Sequence, residues 1–345
     1  MSRRGIINAI KIGIAVALIF WVLDRAGGWE NVRDTLTRMQ PGGWVLGMLA
    51  ITASTCLSIM RWFLLMRSVG LDTTGWAVFK LGWIGVFFNN VVPGLTGGDL
   101  IKAFYVTRDH PKQRTDAVIS VIVDRVIGIV ALAVIAAVIV PFDLARFGQV
   151  AAGIYGFLGV TALGAIVVLS RRVKNRLRQL LGRRDEGDGT SLLAKVDRAV
   201  SMYRHRVGTI ALAMAMSIVV HLLLIVGMRF FGEALAGGAL AADGDLAATA
   251  QAQMETLHSL GFDVYCSIIP IIFIISSLPI APAGWGVGEA AFQHFFAQVG
   301  VSFAAATVLS LTYRLTAMLI SLIGGVFLAL DRKRVVEEAG PPPVP

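Results

Sequence analysis

The sequence predicts an all-α polytopic membrane protein with an inverted repeat, two re-entrant broken-helix hairpins and about six full transmembrane helices. Three observations predict this fold: a composition too apolar for a soluble domain, apolar runs long enough to cross a bilayer, and two apolar segments that proline and glycine interrupt. The first two define the class of protein. The third defines the repeat.

The composition places the chain in a membrane. Of its 345 residues, 56% are hydrophobic and only 15% are charged, and the mean hydropathy is +0.73. Soluble domains carry about 25% charged residues. The net charge of +9 comes from Lys and Arg placed between apolar runs, so it indicates membrane topology and not a nucleic-acid partner. Cys56 and Cys266 form no disulfide or metal spacing, and we predict no metal and no cofactor.

Six runs meet the length of about 20 apolar residues that a membrane-spanning helix needs. They are residues 5–23, 42–66, 117–140, 148–170, 207–231 and 300–330. The first run could instead be a signal peptide. Asp24 and Arg25 follow it without a small-residue cleavage site, so we predict a helix there.

Charged loops orient the helices. Residues 171–206 hold eleven Lys or Arg against four Asp or Glu, and we predict a cytoplasmic linker there. Residues 232–263 hold five acidic residues and no Lys or Arg, which suits the outer side. Both termini are expected in the cytoplasm. A single membrane domain spans residues 1–332, and residues 333–345 are predicted to be a disordered tail.

Two interrupted segments, 75–106 and 262–298, do not fit as single crossings. Basic residues flank the first on both sides, so both of its ends are expected in the cytoplasm. The second must begin and end outside if the last helix is to leave "DRKR" in the cytoplasm. We therefore predict two hairpins that dip into the membrane from opposite faces.

The two hairpins have related sequences, "VPGLTGGDLIKAF" at 92–104 and "APAGWGVGEAAF" at 281–292. Asp99 and Glu289 correspond, and Arg125 and Arg314 follow them by 26 and 25 residues. The pattern predicts an inverted repeat of about 42–140 and 207–331, a recurrent plan among transporters. The residues predicted to break the helices and allow close turns are Pro93, Gly97, Gly98, Pro282, Gly284, Gly286 and Gly288.

Arg125 and Arg314 are the main candidates for binding. A buried arginine is costly in a bilayer unless it is paired or hydrated, so both should face the interior. One interpretation is structural: Arg125 pairs with Asp99 or Asp124, and Arg314 pairs with Glu289. The other is functional, because a guanidinium can hold a phosphate through two parallel hydrogen bonds.

The carboxylates and several neighbours also have two interpretations. Asp99 and Glu289 either cap helix N-termini or load a proton and compete with a phosphate. Lys102 either pairs with Asp99 or reaches the headgroup region. Arg61 and Arg229 lie near predicted helix ends, where reaching the interface is the default. The remaining candidates for substrate binding are Asn89, Asn90, Tyr313 and Trp285. His221 and His294 are expected to make internal hydrogen bonds, and Ser217 and Ser310 receive no role.

The ordered motifs "RW" at 61, "NNVVPGLTGGDLIKAF" at 89–104, "DRVIG" at 124–128, "PAGWGVGEAAF" at 282–292 and "YR" at 313 resemble the transmembrane family of lysylphosphatidylglycerol synthase, also called flippase-like. The resemblance covers about residues 5–332. It implies a multi-pass protein of the bacterial cytoplasmic (inner) membrane. In the best-known members this domain moves an aminoacylated phospholipid between leaflets. Two departures are Lys102, where Arg is expected, and Trp285, where a Gly-Leu pair is more usual.

The function expected from these features is that of a lipid translocase, a transporter and not an enzyme. Its partners are the bilayer and a membrane lipid with an anionic phosphate headgroup. The main alternative is a non-transporting scaffold or accessory subunit of a lipid- or glycan-modifying system, which would dock through residues 171–206. A membrane-embedded enzyme with Asp99 as base is a third possibility, but the sequence supplies no partner nucleophile.

Overall fold

The computed structural model describes residues 36–91, 97–143, 151–161, 206–240, 254–277 and 286–338, together with isolated positions 30, 33, 148, 202 and 203. The described helices are α1 (Pro41–Ser68), α2 (Gly75–Val91), α3 (Gly97–Asp109), α4 (Arg114–Ile139), α5 (Ala151–Thr161), α6 (Val207–Leu240), α7 (Phe262–Ser276), α8 (Val287–Ala297) and α9 (Phe303–Glu338). A 3₁₀ turn, Val140–Asp143, follows α4.

Local sequence explains where α1 begins and ends. Pro41 occupies the first turn, where the missing N–H has no helical partner to lose. After Ser68 the chain turns at Gly70, whose φ of +80° suits a residue without a side chain. Leu71 then donates its N–H back to the carbonyl of Met66 at 3.2 Å. This turn brings the start of α2 beside the end of α1.

Helices α1 and α6 pack along their whole length and run antiparallel. The backbone N–H of Gln40 donates to the carbonyl of Ala234 at 3.0 Å, and Ser54 donates to the carbonyl of Val220 at 2.8 Å. Gly47 lies directly against the ring of Phe231, so the helices approach closely where a side chain is lacking. The pair forms a frame on which the other helices are placed.

Helices α2 and α3 form one helical hairpin on this frame. At its base, Thr73 lies 3.4 Å from Nε2 of His110. At its other end, Gly98 donates its N–H to Oδ1 of Asn89 at 2.9 Å. Gly98 also lies against the backbone oxygen of Gly85, so α3 returns beside α2 to the point where α2 began.

Helices α7 and α8 form a second hairpin. The rings of Tyr265 and Phe296 lie 5.9 Å apart near its base, and Gly288 faces Ser276 near its other end. The hydroxyl of Tyr265 also lies against Gly232 on α6. The base of this hairpin is therefore next to the C-terminal part of α6.

The two hairpin bases lie at opposite ends of the frame. The first base follows Met66 at the C-terminal end of α1, whereas the second contacts Gly232, beside the Phe231 that packs on Gly47. Gly47 and Met66 are separated by about 28 Å of helical rise. The hairpins thus approach the middle of the molecule from opposite directions.

The coarse prediction of a polytopic, all-helical membrane protein is confirmed for the described residues. Four described helices are long and apolar enough to cross a membrane: Pro41–Ser68, Arg114–Phe142, Val207–Gly237 and Phe303–Leu330. The predicted helix 5–23 lies outside the described residues, and only Ala151–Thr161 of the predicted helix 148–170 forms a continuous described helix. Most of the 171–206 linker also lies outside them.

Helix α9 continues to Glu338, past the predicted start of the disordered tail at 333. The reason is local, because no Gly or Pro interrupts the chain until Gly340. The rest of the predicted tail lies outside the described residues.

Candidate functional site

A cavity of about 380 Å³ lies where the inner ends of the two hairpins meet α1, α4, α6 and α9. Both halves of the chain contribute to its wall. Pockets of about 300–1,000 Å³ usually hold small-molecule ligands, so the space exceeds that needed for a single ion. The predicted site residues on its wall are Arg61, Asn89, Asn90, Asp99, Lys102, Arg125, Tyr313 and Arg314.

Arg125 on α4 reaches the first hairpin. Its Nη1 lies 3.3 Å from Oδ2 of Asp99, and the two side chains are 42% and 22% exposed. Asp99 stands in the first turn of α3, where a negative charge also compensates the positive end of the helix dipole. Of the two partners predicted for Arg125, the structure therefore selects Asp99.

Arg314 on α9 reaches the second hairpin and pairs closely with Glu289 through Nε and Oε1, as predicted. The side chains are only 14% and 1% exposed. The other carboxylate oxygen accepts the backbone N–H of Gly286 at 2.6 Å, which anchors Glu289 at the start of α8. Gly286 has a φ of +77°, a conformation that glycine adopts without the strain a side chain would bring.

Arg61 is buried, so the expectation that its side chain reaches the membrane interface is wrong. Its Nε lies 2.8 Å from Oδ1 of Asp124, and its Nη1 donates to Oγ of Ser217 at 2.6 Å. Arg61 is 4% exposed, and α1 extends past it to Ser68. Asp124 is therefore the partner of Arg61 and not of Arg125.

Three further candidates lie on the wall with identified contacts. Asn89 accepts the N–H of Gly98, a backbone group at the inner end of the first hairpin. Asn90 donates to the carbonyl of Val86 at 2.9 Å. The ammonium of Lys102 lies 5.1 Å from the centroid of the Trp62 ring, in a cation–π arrangement that neither interpretation of this lysine anticipated.

Other predicted residues lie elsewhere. Arg229 pairs with Glu233 one turn further along α6 at 2.9 Å; its side chain is 44% exposed, and it does not line the cavity. Trp285 lies outside the described residues, as do the hairpin residues Pro93, Pro282 and Gly284. The other predicted hairpin glycines lie at helix starts: Gly97 and Gly98 at the start of α3, and Gly286 and Gly288 at the start of α8.

Several polar residues of the site were missed or given no role by sequence reasoning. Ser310 and His221 line the cavity, and Ser217 bonds Arg61 behind its wall. His221 makes the predicted internal hydrogen bond, to the carbonyl of Gly128 at 2.9 Å. Ser310 lies one helical turn before Arg314, a spacing that could have identified it, since residues four apart share a helix face.

The site as a whole is weakly cationic. The site holds one more positive than negative side chain. The four cations are Arg61, Lys102, Arg125 and Arg314, and the three anions are Asp99, Asp124 and Glu289. In a partly buried site charges act more strongly than they do in water. The arrangement can therefore hold one anionic group, most readily where a paired carboxylate gives way to it.

Comparison with known proteins places this chain in a family. The model described as the lysylphosphatidylglycerol synthase TM region matches residues 8–325. The chain belongs to this family. A UPF0104 membrane protein of Pyrococcus horikoshii is 22% identical over 169 residues, which are 48% of this chain and 48% of that protein. This match spans about half the length of the relative. The resemblance stated from the motifs is confirmed.

Proposed function

We propose that the protein is a lipid translocase that moves an amphiphile with an anionic phosphate headgroup between the leaflets of the bacterial cytoplasmic membrane. The observation that carries this proposal is one cavity beside which a carboxylate of each hairpin pairs with an arginine of α4 or α9. Arg125 and Arg314 would hold the phosphate, while the lipid tails stay in or near the bilayer.

The placement of the hairpins supports this mechanism. Their bases lie at opposite ends of the α1–α6 frame, as expected of re-entrant hairpins that insert from opposite membrane faces. Non-helical backbone is tolerated at membrane depth where it is buried in protein or faces a wet cavity. An inverted repeat of this kind lets the site open first to one side and then to the other.

The arginines can exchange a carboxylate partner for the lipid phosphate, and this exchange is one step of the proposed transport cycle. Each arginine is neutralised by a carboxylate when the site is empty of lipid. An arriving phosphate competes with Asp99 for Arg125, and the carboxylate in turn competes with the phosphate when the lipid leaves. Charge-assisted pairs of this kind are strong enough to select an anion but are reversible when both partners are hydrated.

A reconstitution experiment tests the proposal. The purified protein is placed in vesicles with fluorescent phosphatidylglycerol, and the fraction of probe that a membrane-impermeant reductant bleaches reports movement between leaflets. We expect Arg125→Ala and Arg314→Ala each to slow movement by about tenfold or more, because each removes a charged hydrogen-bonding group.

Arg229→Ala is the matched control, since it removes an arginine that lies away from the cavity. Arg125 belongs to the more exposed pair, so its variant should keep the fold, which circular dichroism checks. Wild-type rates in both cavity variants would defeat the proposed role of the arginines. A purified protein that moves no lipid would favour the scaffold alternative.

A further inference from the structure

Neutral polar groups with unused hydrogen-bonding capacity border the same cavity. The side chain of Ser310 is 0% exposed, and its Oγ has no hydrogen-bond partner within the described part of the chain. It lies on the cavity wall one helical turn before Arg314. A buried hydroxyl without a partner is costly, so this position favours a ligand that supplies one.

His221, on α6, provides a second such group on the cavity wall. Its Nε2 lies 2.9 Å from the carbonyl oxygen of Gly128. A carbonyl only accepts, so this bond selects the tautomer with the proton on Nε2 and leaves Nδ1 as an acceptor. Among the residues that the structure describes, Nδ1 has no partner. His221 is one turn beyond Ser217, which bonds Arg61.

The carboxylates of the site, in contrast, are already engaged. Asp99, Asp124 and Glu289 each pair with an arginine. The chain between the paired helices adds no acidic residue, since 91–96 reads "VVPGLT" and 278–285 reads "LPIAPAGW". An ammonium group on the ligand would meet an excess of positive charge in the empty site. The one carboxylate that the phosphate displaces, Asp99, still compensates the positive end of the α3 dipole. A hydroxyl would instead meet Ser310 and His221.

Resting on the proposed translocase function, we propose that the headgroup beyond the phosphate is uncharged and bears hydroxyls, as a glycerol or glycosyl headgroup does. Ser310 and Nδ1 of His221 hydrogen-bond those hydroxyls while the arginines hold the phosphate. The site therefore discriminates against an aminoacylated headgroup, although the family takes its name from the synthase of an aminoacylated lipid.

The test compares three fluorescent lipids with identical tails in vesicles that contain the purified full chain. Phosphatidylglycerol offers a phosphate and hydroxyls, phosphatidic acid offers a phosphate alone, and lysylphosphatidylglycerol adds ammonium groups. We expect phosphatidylglycerol to move about three- to tenfold faster than phosphatidic acid, the size of effect that one or two net hydrogen bonds give. Lysylphosphatidylglycerol should be the slowest.

Two variants locate the preference. Ser310→Ala and His221→Phe should each lower the ratio of the phosphatidylglycerol rate to the phosphatidic acid rate towards one. Ser321→Ala is the matched control: Ser321 is also 0% exposed on α9, but its Oγ donates to the carbonyl of Met318 at 2.7 Å. It should change none of the three rates.

The outcomes separate this inference from the proposed function. Phosphatidic acid could move in an Arg125-dependent way and phosphatidylglycerol no faster. That result would overturn the hydroxyl preference and leave the proposed translocase function standing. Lysylphosphatidylglycerol moving as fast as phosphatidylglycerol would also overturn it. Movement of none of the lipids would remove both.

Discussion

Arg125–Asp99 and Arg314–Glu289 hold corresponding places beside the two hairpins, yet they differ sharply in access to solvent. The side chains of the first pair are 42% and 22% exposed, whereas those of the second are 14% and 1% exposed. Glu289 is also fixed by the N–H of Gly286. Two similar sequence patterns have thus produced an accessible pair and an enclosed one.

The cavity is therefore more open to solvent beside the first hairpin than beside the second. An exposed ion pair contributes little to stability and separates readily, whereas removing one partner from a buried pair leaves a costly unpaired charge. For the proposed translocase, the first pair is the one suited to admit a headgroup, and the second is the one suited to close the site.

The largest expected effect comes from breaking the enclosed pair. Glu289→Ala should lower the free energy of unfolding by about 3–5 kcal/mol, because it removes the carboxylate that pairs with the enclosed Arg314 guanidinium. Asp99→Ala should cost about 1 kcal/mol or less. Thermal unfolding of the two variants in the same detergent measures the difference.

A double variant provides the control. Arg314→Met combined with Glu289→Leu removes both charges and should be more stable than Glu289→Ala alone. Equal losses of stability in Glu289→Ala and Asp99→Ala would contradict the difference between the two pairs.

A smaller effect is expected from glycine substitutions at the starts of α3 and α8. A methyl group at Gly98 would collide with the backbone oxygen of Gly85, which cannot rotate away. At Gly288 it would meet Nη2 of Arg314 at 2.5 Å, the end of a flexible side chain. Gly98→Ala should therefore cost about 1–3 kcal/mol of stability, the usual range for overpacking, and Gly288→Ala less.

Gly128→Ala serves as the reference for this series. Its added methyl group would lie 3.6 Å from the Arg61 guanidinium, an ordinary contact. In detergent, Gly128→Ala should have the highest melting temperature of the three variants, Gly288→Ala an intermediate one and Gly98→Ala the lowest. A Gly98→Ala protein as stable as the reference would show that α2 and α3 do not approach as closely as described.

The smallest effect is expected at Arg229. It pairs with Glu233 on the exposed surface of α6, and such pairs within a helix contribute about 0.3–0.5 kcal/mol. Arg229→Ala should change the melting temperature in detergent by no more than about 1–2 °C. A loss comparable with that of Glu289→Ala would mean that Arg229 has a buried role like that of Arg61.

Sequence reasoning captured the class of fold and the four long apolar helices because apolar length and loop charge are local properties of the chain. It also captured the Arg314–Glu289 pair from the spacing of the two residues. It treated Arg61 and Arg229 as equivalents because each ends a similar apolar run, but only Arg61 lies opposite a carboxylate on α4.

The neutral part of the site was not predictable in the same way. Ser310 and His221 carry no charge and have apolar neighbours in sequence, so nothing local distinguishes them from ordinary helix residues. Their significance depends on which helices face the cavity, a property of packing between residues that are far apart in the chain.

The membrane side of each hairpin base is the most direct measure of whether the two hairpins insert from opposite faces. Thr107→Cys near the end of α3 and Gln298→Cys just after α8 are each made in a protein whose native Cys56 and Cys266 are replaced by Ala. A membrane-impermeant thiol reagent is applied to intact and to inverted vesicles. We expect the two cysteines to react from opposite sides of the membrane, and reaction of both from the same side would contradict the opposite insertion of the hairpins.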